Sequence, residues 1–197
     1  MSISESINFM QKVSEKSTSI HTIIRLLLRE LRREEGRHQA EVNQLLGRTT
    51  ASWSKVEAGE ADLNLDQLLT VCYVCNVQPW AVLQAARDYA ELLNREGWYV
   101  AYHGVPLPKG DDMLSKEADA YYALLSKNPE VAYMHYQWRV LDAPRLDQRR
   151  DAILGVFRWI VDVHWRADVT APRPPVPATP LIPPAVLERL TKMNEDE

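Results

Sequence analysis

With 197 residues, 46% of them hydrophobic and 25% charged, the chain has the make-up of an ordinary globular protein with room for one large or two small domains. A net charge of −4 excludes a protein that coats nucleic acid by bulk electrostatics, so any DNA contact must come from a local basic face. Two cysteines are too few for a disulfide framework, and the opening MSISESINFMQK carries Glu5 and no continuous apolar run; a cytoplasmic chain without signal peptide or membrane span is expected.

Residues 1–19 read as an N-terminal extension in which Ile3, Ile7 and Met10 fall at helical spacing. A first helix follows, with Ile20, Ile23, Ile24, Leu27, Leu28 and Leu31 on one stripe and Arg25, Arg29, Arg32 and Arg33 off it, on a face expected to be solvated. A second runs from about Gln39 to Leu46 with Val42, Leu45 and Leu46 inward. A third starts at a Thr49 cap and buries Trp53 and Val56. The fourth, about Asn64 to Cys75, is expected to bury Leu65, Leu68, Leu69, Cys72 and Cys75, and the fifth runs from Pro79 to near Gly97. Gly36, Gly47 and Gly59 punctuate these helices as C-terminal caps.

Beyond residue 97 a short strand (Trp98 to Tyr102) and a Pro/Gly loop are expected, then three helices: one capped by Asp111 or Asp112 and running to Lys127, one restarting at Pro129, and one from Asp142 to about Trp165. Tyr121, Tyr122, Tyr133, Tyr136, Trp138, Trp159 and Trp165 make this region, 97–170, rich in aromatic residues, which suits a core, a dimer face or an effector pocket. The last segment, 171–197, contains APRPPVPATPLIPP, an extended tether in polyproline geometry, before a short amphipathic turn and an acidic end.

From Gln39 the stretch QAEVNQLLGRTTASWSKVEAGEADLNLDQLLTVCYVCNV resembles the helix-turn-helix of the Cro/CI-type (Xre) family of DNA-binding proteins, in Gln39, Val42, Leu45, Leu46, Gly47, Ser54, Glu57 and Gly59, and then in Leu68, Val71, Cys72, Cys75 and Val77. Two positions depart from the family pattern: Asn43 stands where a small residue is usual and is expected to tilt the second helix against the third, and Leu63 replaces a common proline. The resemblance implies an all-α fold, with a lambda-repressor-like five-helix DNA-binding domain over residues 20–96, followed by a mainly helical dimerisation or partner domain and the Pro-rich tail.

The resemblance also implies a function: a sequence-specific transcriptional regulator, most simply a repressor, that binds double-stranded DNA as a homodimer held together by residues beyond about Arg95. In such proteins the third helix lies in the major groove and the second crosses the backbone. Thr50, Ala51, Ser52 and Lys55 then form a low reading face, Gln39 contacts the backbone from the start of the second helix, and Arg37, His38 and Arg48 flank it toward phosphate. Trp53 matches a core position, and Arg32 with Glu57 matches a buried ion pair in some members. The alternative is the antitoxin of a toxin-antitoxin pair, whose C-terminal half binds the toxin.

Catalysis and cofactors are not expected. Cys72 and Cys75 form a C-x-x-C, but both fall on the apolar stripe of the fourth helix and no histidine pair accompanies them, so they read as core rather than zinc ligands. The only Ala-Gly pair, Ala58-Gly59, lies inside the helix-turn-helix, Ser115-Lys116 and Ser126-Lys127 sit on helices, and His103, His135 and His164 are scattered.

Overall fold

A computed structural model describes residues 16–47, 52–102, 110–128, 139–141 and 153–171. Its helices are α1 (Ile20–Glu34), α2 (Gln39–Leu45), α3 (Ser52–Glu57), α4 (Leu65–Val74), α5 (Pro79–Arg95), α6 (Met113–Lys127), α7 (Gly155–Val161) and α8 (Val163–Thr170). Two three-residue strands, β1 (Ser17–Ser19) and β2 (Tyr99–Ala101), pair in parallel with Thr18 opposite Val100. The fold is therefore mostly helical, consistent with the all-α expectation, with this short strand pair added to it. The strand at 99–101 was foreseen. Its partner was not, because Ser-Thr-Ser is too short and too polar to carry a strand pattern and is held by what it meets in space.

Local chemistry sets the helix ends. Ser19 caps α1 by accepting from Thr22 N at 3.3 Å, and Asn64 and Gln67 close a reciprocal capping box on α4, each side chain 2.9 Å from the other's amide. Pro79 opens α5 where its missing N–H costs nothing. Gly36, Gly47 and Gly59 all have positive φ, as their punctuating role requires, and at the α4–α5 junction Asn76 takes the same left-handed conformation (φ 52°) in place of a glycine.

The core is built around α1. Ile23, Leu26, Leu27, Leu28 and Leu31 are buried, and so are Arg25, Glu30 and Arg32, so α1 is enclosed on most sides and its arginines do not form a solvated face. Val42, Trp53, Val56, Leu68, Val71 and Cys72 pack onto it from α2 to α4, with Val82, Ala86, Tyr89 and Leu93 from α5. Three leucines depart from expectation. Leu45, Leu65 and Leu69 are exposed (57%, 68% and 43%), because α2 and α4 are gripped along Val42 and along Leu68, Val71 and Cys72, which leaves the flanking positions outside.

The buried cluster runs across residue 96 without a break. Val100, Leu114, Ala118, Tyr121, Phe157 and Trp159 belong to the same core as α1–α5. Tyr89 of α5 stacks on Phe157 of α7 with centroids 4.1 Å apart, and its hydroxyl accepts from Leu154 N at 3.2 Å. Leu154, at φ −53° and ψ 134°, is outside the helical region, and α7 starts at Gly155; it ends at Val161, and the next residue, Asp162, caps α8 by accepting from Trp165 N at 3.0 Å. The single helix expected to reach Trp165 is thus two at this end. Tyr121 and Trp159 face inward, Tyr122 and Trp165 are half-buried, and Tyr133, Tyr136, Trp138, the helix expected from Pro129, the N-terminal extension and the Pro-rich tail lie outside the described residues.

At the seam between α1, β1 and α6 lies a buried polar knot. Asp112 is fully buried and caps α6 by accepting from Ser115 N at 2.9 Å, while Thr18 and Thr22 donate their hydroxyls to it at 3.1 and 2.6 Å. Arg25 donates to Ser115 Oγ at 2.7 Å on this side and to the Glu57 carbonyl at 2.6 Å on the other. Burial pulls the Arg25 guanidinium below its ordinary value and the charge of Asp112 pushes it back up.

Cys72 and Cys75 are buried, as their place on the apolar stripe required. Burial pushes their thiols up to about 11 and about 12 from an ordinary 9.0. In the folded protein both should resist a thiol-alkylating reagent at pH 8 and react fully once denatured. Because the folded values lie above the unfolded ones, the associated stability is complete below about pH 9 and is lost as pH rises toward 11 and 12. Tyr122, raised by burial and by Glu30, acts in the same direction. Urea midpoints should hold steady from pH 7 to 8.5 and fall above pH 9.5; a midpoint that rises there would contradict the burial of these groups. Among the described residues, no single helix is long and apolar enough to cross a membrane, and no group of His, Cys, Asp and Glu is arranged to hold a metal ion.

Candidate nucleic-acid interface

The geometry of α2 and α3 is fixed by one carboxylate. Glu57, at the end of α3 and nearly inaccessible, accepts four hydrogen bonds: Oε1 from Arg32 Nε (2.5 Å) and Trp53 Nε1 (2.5 Å), Oε2 from Arg32 Nη2 (2.9 Å) and Gln39 Nε2 (2.5 Å). The bidentate Arg32–Glu57 pair expected from the resemblance is present and ties α1 to α3. Arg32 also donates Nη1 to the Arg37 carbonyl at 2.5 Å, holding the segment that enters α2. Trp53, fully buried, is a core residue and adds its indole N–H to the same node.

Asn43 makes a contact that its position did not indicate. Fully enclosed on α2, its Oδ1 accepts from Trp53 N at 2.9 Å. The amides of a first helical turn have no partner within the helix, so Asn43 caps α3 from the neighbouring helix. The sequence signal was an amide where a small apolar residue is usual; the first-turn amide it meets is visible only in space.

The far end of α3 closes tightly. Gly59 N donates to Val56 O and Glu60 N to Lys55 O (2.9 and 2.8 Å), the pair of bonds of a Schellman turn, with Gly59 at φ 73°. A Cβ on Gly59 would meet Arg25 Cζ at 3.0 Å, so both the dihedral and the buried guanidinium demand glycine. Arg25 thereby touches the end of α3 and the start of α6 together, a role that the helical periodicity of α1 did not indicate.

Of the residues expected to meet DNA, Gln39 is half-buried at the first position of α2 with its amide already committed to Glu57, which orients it rather than leaving it free to swing. Ser52 is half-buried at the start of α3, and Lys55 is exposed one turn on. Arg37 and His38 are exposed ahead of α2; Arg37 Nη1 lies 3.4 Å from Glu41 Oε2, and His38 N donates to Glu41 Oε1 at 2.8 Å. Arg48, Thr50 and Ala51 lie outside the described residues. The start of α2, the start of α3 and Lys55 thus belong to one rigid pair of helices braced on α1.

Residues 24–86, less than half of the chain, match the family model of a helix-turn-helix domain. No curated protein and no solved structure matches the chain. The matched span runs from α1 into α5 and encloses the Glu57 node, so the chain carries a helix-turn-helix domain, and DNA is the partner that such a domain implies.

Proposed function

We propose that this protein is a sequence-specific DNA-binding regulator of transcription of the Cro/CI type, a cytoplasmic repressor that occludes its promoter as a homodimer and carries out no catalysis. What supports this best is the Glu57 node: its two bonds from Arg32 tie α3 to α1, its bond from Gln39 ties α3 to α2, and its bond from Trp53 fixes the carboxylate within α3, with Lys55 outward and Ser52 at the entry of α3. Rigid placement of this helix pair is what major-groove reading needs, since a small misplacement of the reading helix loses base contacts. Gln39 then offers the second N–H of its amide to a phosphate while Glu57 holds the first.

Selection of bound duplexes from a random pool tests the reading. A palindromic site with half-sites about 34 Å or a multiple apart is expected; a pool with no enriched sequence overturns it. On the selected site, Ser52→Ala and Lys55→Ala should each weaken specific binding by about 1–3 kcal/mol without changing the melting temperature, and only Lys55→Ala should weaken non-specific binding as well. With Glu41 beside Arg37 and the net charge negative, few phosphates are neutralised, so the dependence of log K on log salt should be shallow for a dimer. A slope as steep as that of strongly basic repressors would contradict this.

A further inference from the structure

The described surface carries an apolar patch that the helix-turn-helix does not use. Leu65, Leu69 and Tyr73 lie four residues apart along one face of α4, and Trp80 and Leu83 lie three apart at the start of α5; all five are exposed, Tyr73 at 78% and Trp80 at 68%. Leu69 and Tyr73 line a hollow of about 310 Å³ together with Asn76, Val77 and Pro79, so the stripe on α4 continues onto the start of α5. Large aromatics left in water beside leucines are costly and mark a surface that something covers.

We propose that a second copy of this chain covers it: the α4–α5 face is the self-association surface of the homodimer. This rests on the dimeric reading above. The charge pattern favours a copy of the same chain. From Leu65 to Gln84 the exposed side chains include one charge, Asp66, whereas further along α5 the surface turns ionic, with Arg87 paired to Asp88 (3.1 Å) and Glu91 (3.5 Å). A twofold axis sets each residue near it against its own copy, so like charges would repel there; an uncharged centre with an ionic rim is what such an interface tolerates. A stable dimer buries about 800 Å² per partner, of which a Tyr and a Trp can supply about 150–250 Å² each, and Leu65, Leu69 and Leu83 lie exposed beside them. The aromatic residues of α6 and α7, Tyr121 and Trp159, are spent inside the core and do not offer a comparable face.

The test uses the full chain without DNA. Sedimentation over a range of concentrations should show a reversible dimer, and Tyr73→Glu with Trp80→Glu should weaken it by roughly a hundred-fold or more, the effect of losing two central aromatic anchors. Both side chains are exposed, so the variant should melt like the parent, and the milder Tyr73→Ser with Trp80→Ser keeps the test sound if the charged pair disturbs folding. Monomeric variants should still bind a single half-site while losing the preference for the palindrome. A wild-type chain that stays monomeric at tens of micromolar, including one that instead takes up a peptide of its own Pro-rich tail on this face, overturns the proposal; so does a variant that dimerises as the parent does. A dimer that depends on Tyr73 and Trp80 but enriches no DNA sequence supports the interface and counts against the repressor reading alone.

Discussion

Glu57→Ala should destabilise the protein by about 3–5 kcal/mol, the usual cost of removing one partner of a buried ion pair. At this chain length that corresponds to a fall in melting temperature on the order of 10 °C. The reason is what would remain: the Arg32 guanidinium, the Trp53 indole N–H and the Gln39 amide would all face the vacated volume with no acceptor. Replacing both members of the ion pair, Arg32→Met with Glu57→Leu, should recover part of the loss, because the uncompensated charge disappears while the Trp53 and Gln39 donors stay unpaired. Thermal or urea unfolding measures both. If Glu57→Ala melts within about 1 kcal/mol of the parent, the node is not the brace of the helix pair. DNA affinity gives a second readout, since the released Gln39 and the loosened α3 should lower it even where the variant is fully folded.

The second large effect is expected at Asp112. Replacing it by alanine removes the cap of α6, leaves the Thr18 hydroxyl and the Ser115 amide without their acceptor, leaves the Thr22 hydroxyl only Ser19, and takes away the largest opposing charge felt by the buried Arg25. A loss of about 3–5 kcal/mol is expected. Asp112→Asn keeps a side-chain oxygen for the Ser115 amide and should cost less. Because Arg25 bridges Ser115 and the Glu57 carbonyl, Asp112→Ala and Arg25→Met should be strongly non-additive in a double-mutant cycle; simple additivity would show that the two ends of the seam are energetically separate. The same seam bears on truncation. A chain ending at Arg95 loses β2, α6 and α7 and exposes Tyr89 and the polar strand β1, so it should expose apolar surface and fail to melt cooperatively rather than persist as a small stable domain.

Much of the helical core was legible because it rests on local patterns. The spacing of Ile23, Leu27 and Leu31, the glycines after α1, α2 and α3, Asn64 ahead of α4 and Pro79 at the head of α5 each act within a few residues of themselves, and a periodic sequence records that directly. Trp53 as core and Arg32 with Glu57 as a buried pair came from the family resemblance, and the structure bears both out.

What the sequence could not decide is where a second contact comes from. Leu45, Leu65 and Leu69 satisfy a helical stripe as well as Val42 and Leu68 do, yet the choice of which edge of a stripe is covered belongs to the neighbouring helix, and here it falls the other way. In the helical pattern Arg25 cannot be told from Arg29, Arg32 and Arg33; Glu57 O, Ser115 Oγ and Gly59, which surround it, come from elsewhere in the chain. β1 has no strand signal of its own and exists because Val100 lies opposite Thr18 and Asp112 takes the Thr18 hydroxyl. Sequence alone therefore determined the helices α1 to α5, most of their ends and the helix-turn-helix order, but not the break between α7 and α8. Tertiary structure decided which faces are buried and which charges are shared, because burial and hydrogen-bond pairing depend on residues brought together across 10 to 106 positions of chain.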